Sequence, residues 1–394
     1  RDAKNNMITV CFIENIDPMG VHTGDSFCSA PMLTISKELQ DRLEQQAHAI
    51  VESIGVIGGT NVQFAHDPKT DRIIIIEINP RTSRSSALAS KATGFPIAYV
   101  SALLACGLTL DEIPYWKEGT LDNYKPSGDY VVIKFARWAF EKFKGSQDKL
   151  GTQMKAVGEV MSIGKNYKEA LQKAIRSLET GRYGLGFAKN FHELTLDQLY
   201  VKLAEPSSER QFIMYEAIRK GAPLEKLHEM THIKMWFLEQ MKELVDLEEE
   251  IISYKGKELP DSLLIQAKKD GFSDKYLAKL LDIDEWELFK RREDLGMKEC
   301  WDAVPVSGVK DPAAYYYSTY NGEDKAPVSD RRKVMVLGGG PNRIGQGIEF
   351  DFCSVHCTWA FEKEGYETII INNNPETVST DFDIADKLYF EPLT

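Results

Sequence analysis

The sequence predicts a multidomain protein with an α+β part, an all-helical middle part and the start of an α/β unit. Three observations support this prediction. Strand-like runs alternate with amphipathic patterns up to about residue 181, helical spacing dominates to about residue 326, and a strand, a glycine loop, a helix-like stretch and a second strand follow. The 394 residues correspond to two to four ordinary domains.

The first part, residues 1–181, contains both kinds of pattern. Residues 37–53 and 167–178 space their apolar side chains by three and four positions, which predicts amphipathic helices. Runs rich in Val, Ile and Phe predict strands at 7–13, 61–65, 72–78 and 130–135. Mixed patterns of this kind are typical of an α+β domain.

The middle part, residues 182–326, is expected to be nearly all helix. Its apolar positions recur at helical spacing among dense charges, for example at Ile233, Phe237, Met241, Leu244 and Leu247. Such a pattern predicts helices with one buried and one solvated face.

The last part, residues 327–394, has the order of a βαβ unit. Strands are predicted at 334–337 and 368–371, with a glycine loop and a helix-like stretch to residue 364 between them, and a third strand at 388–390. A parallel sheet of so few strands leaves faces and edges uncovered. Since the amino terminus has neither an initiator Met nor an apolar signal core, we expect the chain to be a piece of a longer one.

Composition excludes several classes of function. With 48 Lys+Arg against 60 Asp+Glu, the net charge of −12 argues against a protein that mainly holds nucleic acid or an anionic membrane. The longest apolar stretch, residues 97–110, is interrupted by polar residues and too short to span a membrane. Six scattered cysteines without a Cys-x-x-Cys pair predict free thiols in an intracellular setting.

The most informative segment is residues 61–81, two strand runs joined by an Asp-Pro-Lys-Thr-Asp turn. A hairpin centred near Thr70 would place Gln63 opposite Glu77, with Glu77, Asn79 and Arg81 on one face. A carboxylate with amide oxygens is a ligand set suited to Mg²⁺ that also binds nucleotide phosphates. On spacing alone, a half-exposed hairpin with a polar outer face is an equally good interpretation.

The hairpin is one of several segments in this chain that point to the same family of proteins. They are residues 14–26, 61–64, 77–94, 338–351 and 374–381. Together they resemble the large chain of carbamoyl-phosphate synthetase. The resemblance covers the whole chain, more loosely across the helical middle.

The resemblance implies an order of parts. Residues 1–181 would be the carboxyl-terminal portion of the first, carboxyphosphate-making ATP-grasp unit. Residues 182–326 would be the helical oligomerisation domain, and 327–394 the start of the second, carbamoyl-phosphate-making unit, a Rossmann-like pre-ATP-grasp domain. In the family, ATP phosphorylates bicarbonate, ammonia converts the carboxyphosphate to carbamate, and a second ATP phosphorylates the carbamate.

The resemblance also implies a site. The implied nucleotide contacts are Gly20, Val21, His22, Gln63 and Glu77; the implied metal ligands are Gln63, Glu77 and Asn79; Arg81 and Arg84 are assigned to bicarbonate or carboxyphosphate and the transferred phosphoryl group. The implied cofactors are ATP and Mg²⁺ or Mn²⁺, with K⁺ as an optional further ion. Fixed positive charge at the arginines would stabilise the transition state, whereas their alternative is a surface ion pair.

The implied partners are a glutaminase small subunit that supplies ammonia and further copies of the chain, bound through the helical domain. Neither a nucleic acid nor a membrane is expected, and the compartment is expected to be the cytoplasm. Since the family's first unit also needs an amino-terminal domain and a lid, we expect the 394-residue chain alone not to turn over ATP. The alternatives are a non-catalytic assembly module and an ATP-grasp ligase of another acid.

Three further motifs carry weaker interpretations. The loop 338–345 lacks the third glycine and the acidic residue of a dinucleotide-binding fingerprint. Cys353, His356 and Cys357 lack a fourth ligand and are expected to be buried small residues rather than a zinc site. Residues 271–292 have the rhythm of a helix-turn-helix, but acidic residues at the start of its second helix would repel DNA phosphates.

Overall fold

The computed structural model describes residues 1–338, 343–345 and 351–394. The first part contains a four-stranded antiparallel sheet, a separate hairpin and four α-helices. In chain order its elements are β1 (Glu14–Asn15), β2 (Cys28–Ala30), α1 (Lys37–Ile54), β3 (Asn61–Asp67), β4 (Arg72–Asn79), α2 (Arg84–Thr93), α3 (Ile97–Ala105), β5 (Val131–Arg137), β6 (Gly158–Gly164) and α4 (Tyr167–Ser177). The sheet has the order β1-β2-β5-β6, and β3 pairs with β4 alone.

The middle part is a run of helices. They are α5 (Leu196–Leu203), α6 (Arg210–Arg219), α7 (Leu224–Thr231), α8 (Met235–Ile252), α9 (Asp261–Lys269), α10 (Asp274–Leu281) and α11 (Glu285–Asp294). Local caps set several boundaries: the side chains of Ser273 and Asp284 accept backbone N–H bonds at the starts of α10 and α11. The helix, turn, helix rhythm predicted near residue 280 is therefore present in the structure.

The end of the middle part and the last part together form a five-stranded mixed sheet with one described α-helix. Its elements are β7 (Cys300–Pro305), β8 (Ala314–Thr319), β9 (Lys333–Leu337), α12 (Asp351–Lys363), β10 (Glu367–Ile371) and β11 (Lys387–Tyr389). The strand order is β7-β8-β11-β10-β9, with only β7 and β8 antiparallel to each other. The predicted βαβ order and third strand are confirmed, while positions 339–342 and 346–350 of the predicted glycine loop and helix lie outside the described residues.

Two predictions about secondary structure are wrong. Residues 7–13 form no strand, because their apolar side chains pack into the interior without a ladder partner. The expectation that the middle part is nearly all helix fails at residues 300–305 and 314–319, which form β7 and β8. Their aromatic and β-branched side chains, including Val304 and Tyr317, are buried where these strands join the last sheet.

The four-stranded sheet is buried on both faces, and this joins the three parts. Ile133 and Phe135 of β5 belong to a core shared with the helices of the middle part. Val132 on the same strand and Met161 on β6 instead pack with the five-stranded sheet. Because successive residues of a strand point to opposite faces, the nearly continuous apolar run of β5 serves two cores at once.

Among the described residues, no single helix is long and apolar enough to cross a membrane. Only α2 and α3 taken together meet that test, and they are bent by 107° relative to each other. All six cysteines are free thiols, as predicted.

Candidate functional site

The hairpin of β3 and β4 places Gln63 directly opposite Glu77, as predicted. On the other side of this pair, Phe64 lies opposite Ile75, so Ile76 has no partner and forms a bulge. If the pairing register near the turn continued without a shift, Gln63 would lie opposite Ile76. The bulge therefore brings the amide and the carboxylate together, and the expected regular alternation along β4 does not hold there.

Two of the predicted residues, Gln63 and Asn79, donate to the same carboxylate oxygen of a third, Glu77. Gln63 Nε2 and Asn79 Nδ2 donate to Glu77 Oε1 over 3.0 and 3.1 Å. Because each amide also carries a carbonyl oxygen, rotation of the two amide groups would replace the N–H donors by oxygen ligands around the same carboxylate. This donor set fits a divalent cation that completes its coordination with ligand oxygens and water.

A cation bound at this hairpin would depend on amides rather than on a cluster of charged ligands. Within the described part of the chain, no group of three or more His, Cys, Asp or Glu side chains is arranged to hold a metal. A site with one carboxylate favours a cation that also binds a polyanion such as a phosphate chain.

The loop between β1 and β2 carries the predicted Gly20, Val21 and His22. Gly20 has a φ of 108°, a conformation that residues with a Cβ rarely adopt. The N–H of His22 donates to the carbonyl of Gly151 over 2.8 Å, and its Nδ1 accepts from Gly24 N over 2.9 Å. With Nδ1 occupied as an acceptor, the neutral ring carries its proton on Nε2, which can donate to a ligand.

Two side chains connect this loop to the rest of the site. Lys134 Nζ donates to the carbonyls of Thr23 and Gly24 over 3.0 and 3.4 Å. The Sδ atom of Met154 packs so closely against Gly24 that a Cβ added to this glycine would lie only 2.5 Å from it. The same Sδ atom lies 3.7 Å from Nη1 of Arg84. The loop and the first residue of α2 thus share one neighbour.

The two predicted arginines differ in their environment. Arg84 follows the N-cap residue Ser83, and its Nε lies 2.7 Å from Glu376 Oε1, which belongs to the last part of the chain. Arg81 is exposed and donates to the carbonyl of Thr82 over 3.0 Å. The structure therefore ties Arg84 to a carboxylate of another part, whereas the described hydrogen bond of Arg81 is to its own neighbour in the chain.

A buried charge cluster beside Arg84 was missed by the sequence analysis. Lys134 Nζ lies 3.8 Å from Glu159 Oε2, and both side chains are almost fully buried. Burial raises the pKa of Glu159 despite the nearby Lys134, and among the described residues the Oε1 atom of Glu159 finds no hydrogen-bond partner. Burial likewise raises the pKa of Glu376, although Arg84 opposes this shift. The signal available in the sequence was a lysine within the apolar run of β5.

The weaker motifs are placed as follows. Cys353, His356 and Cys357 lie on the exposed face of α12, so the expectation that they are buried is wrong. The reason is helical periodicity, since α12 contacts the sheet through other positions, including Val355. The His356 ring lies 3.9 Å from that of Phe352. In the loop 338–345, the described Gly338 donates its N–H to Ile371 O, which continues the sheet by one bond.

An oxygen-ligand hairpin, a glycine-containing loop and an arginine at a helix start, all on an α+β frame, are typical of domains that bind a nucleotide with a divalent cation. Three family models match the chain. Residues 1–113 match "Carbamoyl-phosphate synthase L chain, ATP binding domain", residues 159–296 match "Carbamoyl-phosphate synthetase large chain, oligomerisation domain", and residues 330–394 match "Carbamoyl phosphate synthase preATP-grasp domain". The chain belongs to the carbamoyl-phosphate synthetase large-chain family.

Curated relatives agree over the full length of the chain. A carbamoyl phosphate synthase large chain of Thermotoga sp. (strain RQ2) is 51% identical, with 100% of this chain and 35% of that protein covered. One of Archaeoglobus fulgidus is 48% identical, with 100% and 37% covered. The arginine-specific, chloroplastic large chain of Arabidopsis thaliana is 49% identical, with 100% and 34% covered. This chain thus spans about a third of the length of these relatives.

Proposed function

We propose that this chain is the segment of a glutamine-dependent carbamoyl-phosphate synthetase that contributes to bicarbonate phosphorylation. In the whole protein, ATP and bicarbonate would give carboxyphosphate, ammonia would displace phosphate to give carbamate, and the second unit would phosphorylate the carbamate. The observation that carries the proposal is the convergence of Gln63 and Asn79 on Glu77, within the segment that matches the family's ATP-binding domain.

The proposed roles follow from the contacts. Glu77, Gln63 and Asn79 would supply oxygen ligands to Mg²⁺ or Mn²⁺, whose charge would offset that of the ATP phosphates. His22 would donate from Nε2 to the nucleotide, and the backbone of Gly20 and Val21 would line it.

The arginines would act on the reacting groups. Arg84 contacts Glu376 through Nε, and its Nη1 lies 3.7 Å from Met154 Sδ, so the Nη groups would be the donors to an anion such as carboxyphosphate. Arg81 is exposed and would turn toward the transferred phosphoryl group.

The middle helices would have a second function. The match of residues 159–296 to the family's oligomerisation domain supports self-association of the chain through this part. A glutaminase small subunit would bind the complete large chain and deliver ammonia. The products would enter arginine and pyrimidine synthesis, and the compartment would be the cytoplasm.

The deciding experiment measures bicarbonate-stimulated ADP release by the full-length protein that carries this segment. Glu77→Gln should lower the stimulated rate at least about 100-fold, a loss beyond that expected when only a supporting residue is changed. Glu118→Gln, an exposed glutamate outside the hairpin, is the matched control and should leave the rate unchanged. The 394-residue chain alone should show no stimulation.

Two outcomes would contradict the proposal. If the wild-type protein releases no extra ADP with bicarbonate, the site belongs to an ATP-dependent ligase of another acid. If Glu77→Gln and Glu118→Gln behave alike, the hairpin does not hold the essential cation.

A further inference from the structure

The nucleotide loop between β1 and β2 is bound to the helical middle part by a buried ion pair. Asp17 lies in the loop, and Arg210 is the first residue of α6. Arg210 Nε donates to Asp17 Oδ1 over 2.6 Å, and Arg210 Nη2 donates to Asp17 Oδ2. The side chains of Arg210 and Asp17 are only 7% and 1% exposed. This two-point contact joins residues far apart in sequence and belonging to different parts of the protein.

The same carboxylate closes the base of the loop. Asp17 Oδ2 also accepts from the N–H of Phe27 over 2.8 Å, and Ile16 N donates to Phe27 O over 2.8 Å. Residues 16 and 27 flank the segment that contains Gly20, Val21 and His22. The position of Asp17 therefore fixes how the two ends of this segment approach each other.

A second contact from the middle part holds the strand before the loop. Lys234, at the start of α8, donates to Glu14 Oε1 over 3.0 Å and to Thr34 Oγ1 over 2.8 Å. Glu14 Oε2 in turn accepts from the N–H groups of Leu33 and Thr34. The helical part therefore contacts both the strand before the loop, through Glu14, and the base of the loop, through Asp17.

Arg210 is itself held in one orientation. Its Nη1 donates to Ser207 O over 2.6 Å, and its guanidinium lies 5.8 Å from the centre of the Trp138 ring. A planar, multiply bonded guanidinium transmits position better than a flexible ammonium would. Without it, Asp17 would be a buried charge with no cationic partner in the described part of the chain, which is unfavourable enough to displace the loop base.

We propose that Arg210 is a positioning residue through which the helical part sets the conformation of the loop Gly20–His22 and so the affinity of the first unit for ATP. This inference rests on the proposed function. It gives the helical part a role in nucleotide binding that is separate from self-association.

The test uses the full-length protein and measures bicarbonate-stimulated ADP release as a function of ATP concentration. Arg210→Lys and Arg210→Met should raise the KM for ATP by about tenfold and change kcat by less than about twofold, because the loop acts on binding rather than on the reacting groups. Arg182→Met is the matched control. It breaks a two-point pair with Glu209, over 2.8 and 3.2 Å, at the residue before the same helix, and this pair does not involve Asp17.

A second measurement separates this inference from the proposed function. Amide hydrogen exchange of residues 16–27 should be faster in Arg210→Lys than in the wild type and the Arg182→Met control. If the wild type shows no bicarbonate stimulation, the proposed function fails while exchange still tests the contact. Unchanged exchange together with an unchanged KM, or a loss confined to kcat, would overturn the inference. Arg210→Lys, which keeps the charge, decides the matter if Arg210→Met does not fold.

Discussion

Gln63 lies opposite Glu77 because a single residue, Ile76, is bulged out of the β3–β4 ladder. The pairing near the turn, with Asp67 opposite Arg72, would otherwise align Gln63 with an isoleucine. Since a shift of one residue exchanges the two faces of a strand, the bulge determines whether an amide can reach the carboxylate at all. The candidate metal site therefore depends on the bulge at Ile76.

The first prediction concerns the two amides. Gln63→Leu and Asn79→Leu would each remove one of the proposed neutral oxygen ligands while Glu77 keeps its charge. The Mg²⁺ concentration that gives half-maximal ADP release should therefore rise by about tenfold, with a smaller effect on the rate at saturating Mg²⁺. The measurement is a Mg²⁺ titration of the full-length protein at fixed ATP.

Gln147→Leu is the control for this titration, because Gln147 is an exposed amide outside the hairpin. An unchanged Mg²⁺ requirement in both hairpin variants would show that the amides only orient Glu77.

The second prediction concerns the contact between α2 and the last part of the chain. Lys91 Nζ lies 2.5 Å from Asp381 Oδ1 and 3.0 Å from Thr380 Oγ1, with Lys91 9% and Asp381 47% exposed. Burial lowers the pKa of Lys91, and Asp381 opposes that shift. Removing Asp381 leaves a buried cation, whereas removing Lys91 leaves a carboxylate that water can reach. Asp381→Ala should therefore destabilise the protein by about 3 kcal/mol and Lys91→Met by less than about half as much.

Urea unfolding of both variants, and of the double variant, measures this asymmetry. Equal losses from the two single changes would contradict it, since they would mean that burial of the lysine carries no penalty of its own.

The third prediction is a dependence of stability on pH. Burial lowers the pKa of Lys268 from 10.5 to about 8, although Asp274 Oδ1, 2.8 Å from its Nζ, acts in the opposite direction. The cations Arg176 and Arg292 add to the lowering. Between pH 8 and 10.5 the unfolded chain holds more protons at this lysine than the folded chain does. Lys268 therefore lowers the free energy of unfolding below about pH 8, and this loss of stability disappears as the pH rises toward 10.5.

The measurement compares the free energy of unfolding of the wild type and Lys268→Met across this range. The stability of Lys268→Met relative to the wild type should decline with rising pH, by at most about 1.4 kcal/mol per pH unit. Lys269→Met, which changes the exposed neighbouring lysine, should run parallel to the wild type. A parallel profile for Lys268→Met as well would sink the prediction.

The fourth prediction concerns self-association. Trp286 on α11 is 58% exposed and stacks on Phe289, with ring centres 4.8 Å apart. Exposed aromatic pairs are frequent anchors of protein interfaces. We expect the mass of the 394-residue chain in light scattering to rise with concentration, and Trp286→Glu to weaken that association at least about tenfold.

Val201→Glu is the matched control, because Val201 on α5 is 77% exposed and belongs to the same helical part. If Val201→Glu weakens association and Trp286→Glu does not, the interface lies at α5 instead.

The hairpin, the helical middle and the βαβ order could be predicted because each is encoded by a local pattern. The turn residues at 67–71, the helical spacing around Phe237 and the apolar run before Gly338 each depend on residues only a few positions apart in the sequence. The motifs around Gly20, Glu77 and Glu376 were recognised instead from their resemblance to a known family, since spacing alone left the hairpin open to another interpretation.

The sequence by itself determined the residue types of the candidate site and the order of strand-bearing and helical stretches along the chain. Only the tertiary structure decided that residues 7–13 pack without pairing, that β7 and β8 join the last sheet, and that Arg210 supports the loop through Asp17. The physical reason is the separation along the chain of the residues that interact. Capping and periodicity involve near neighbours in sequence, whereas strand pairing and the neutralisation of buried charges depend on segments that only folding brings together.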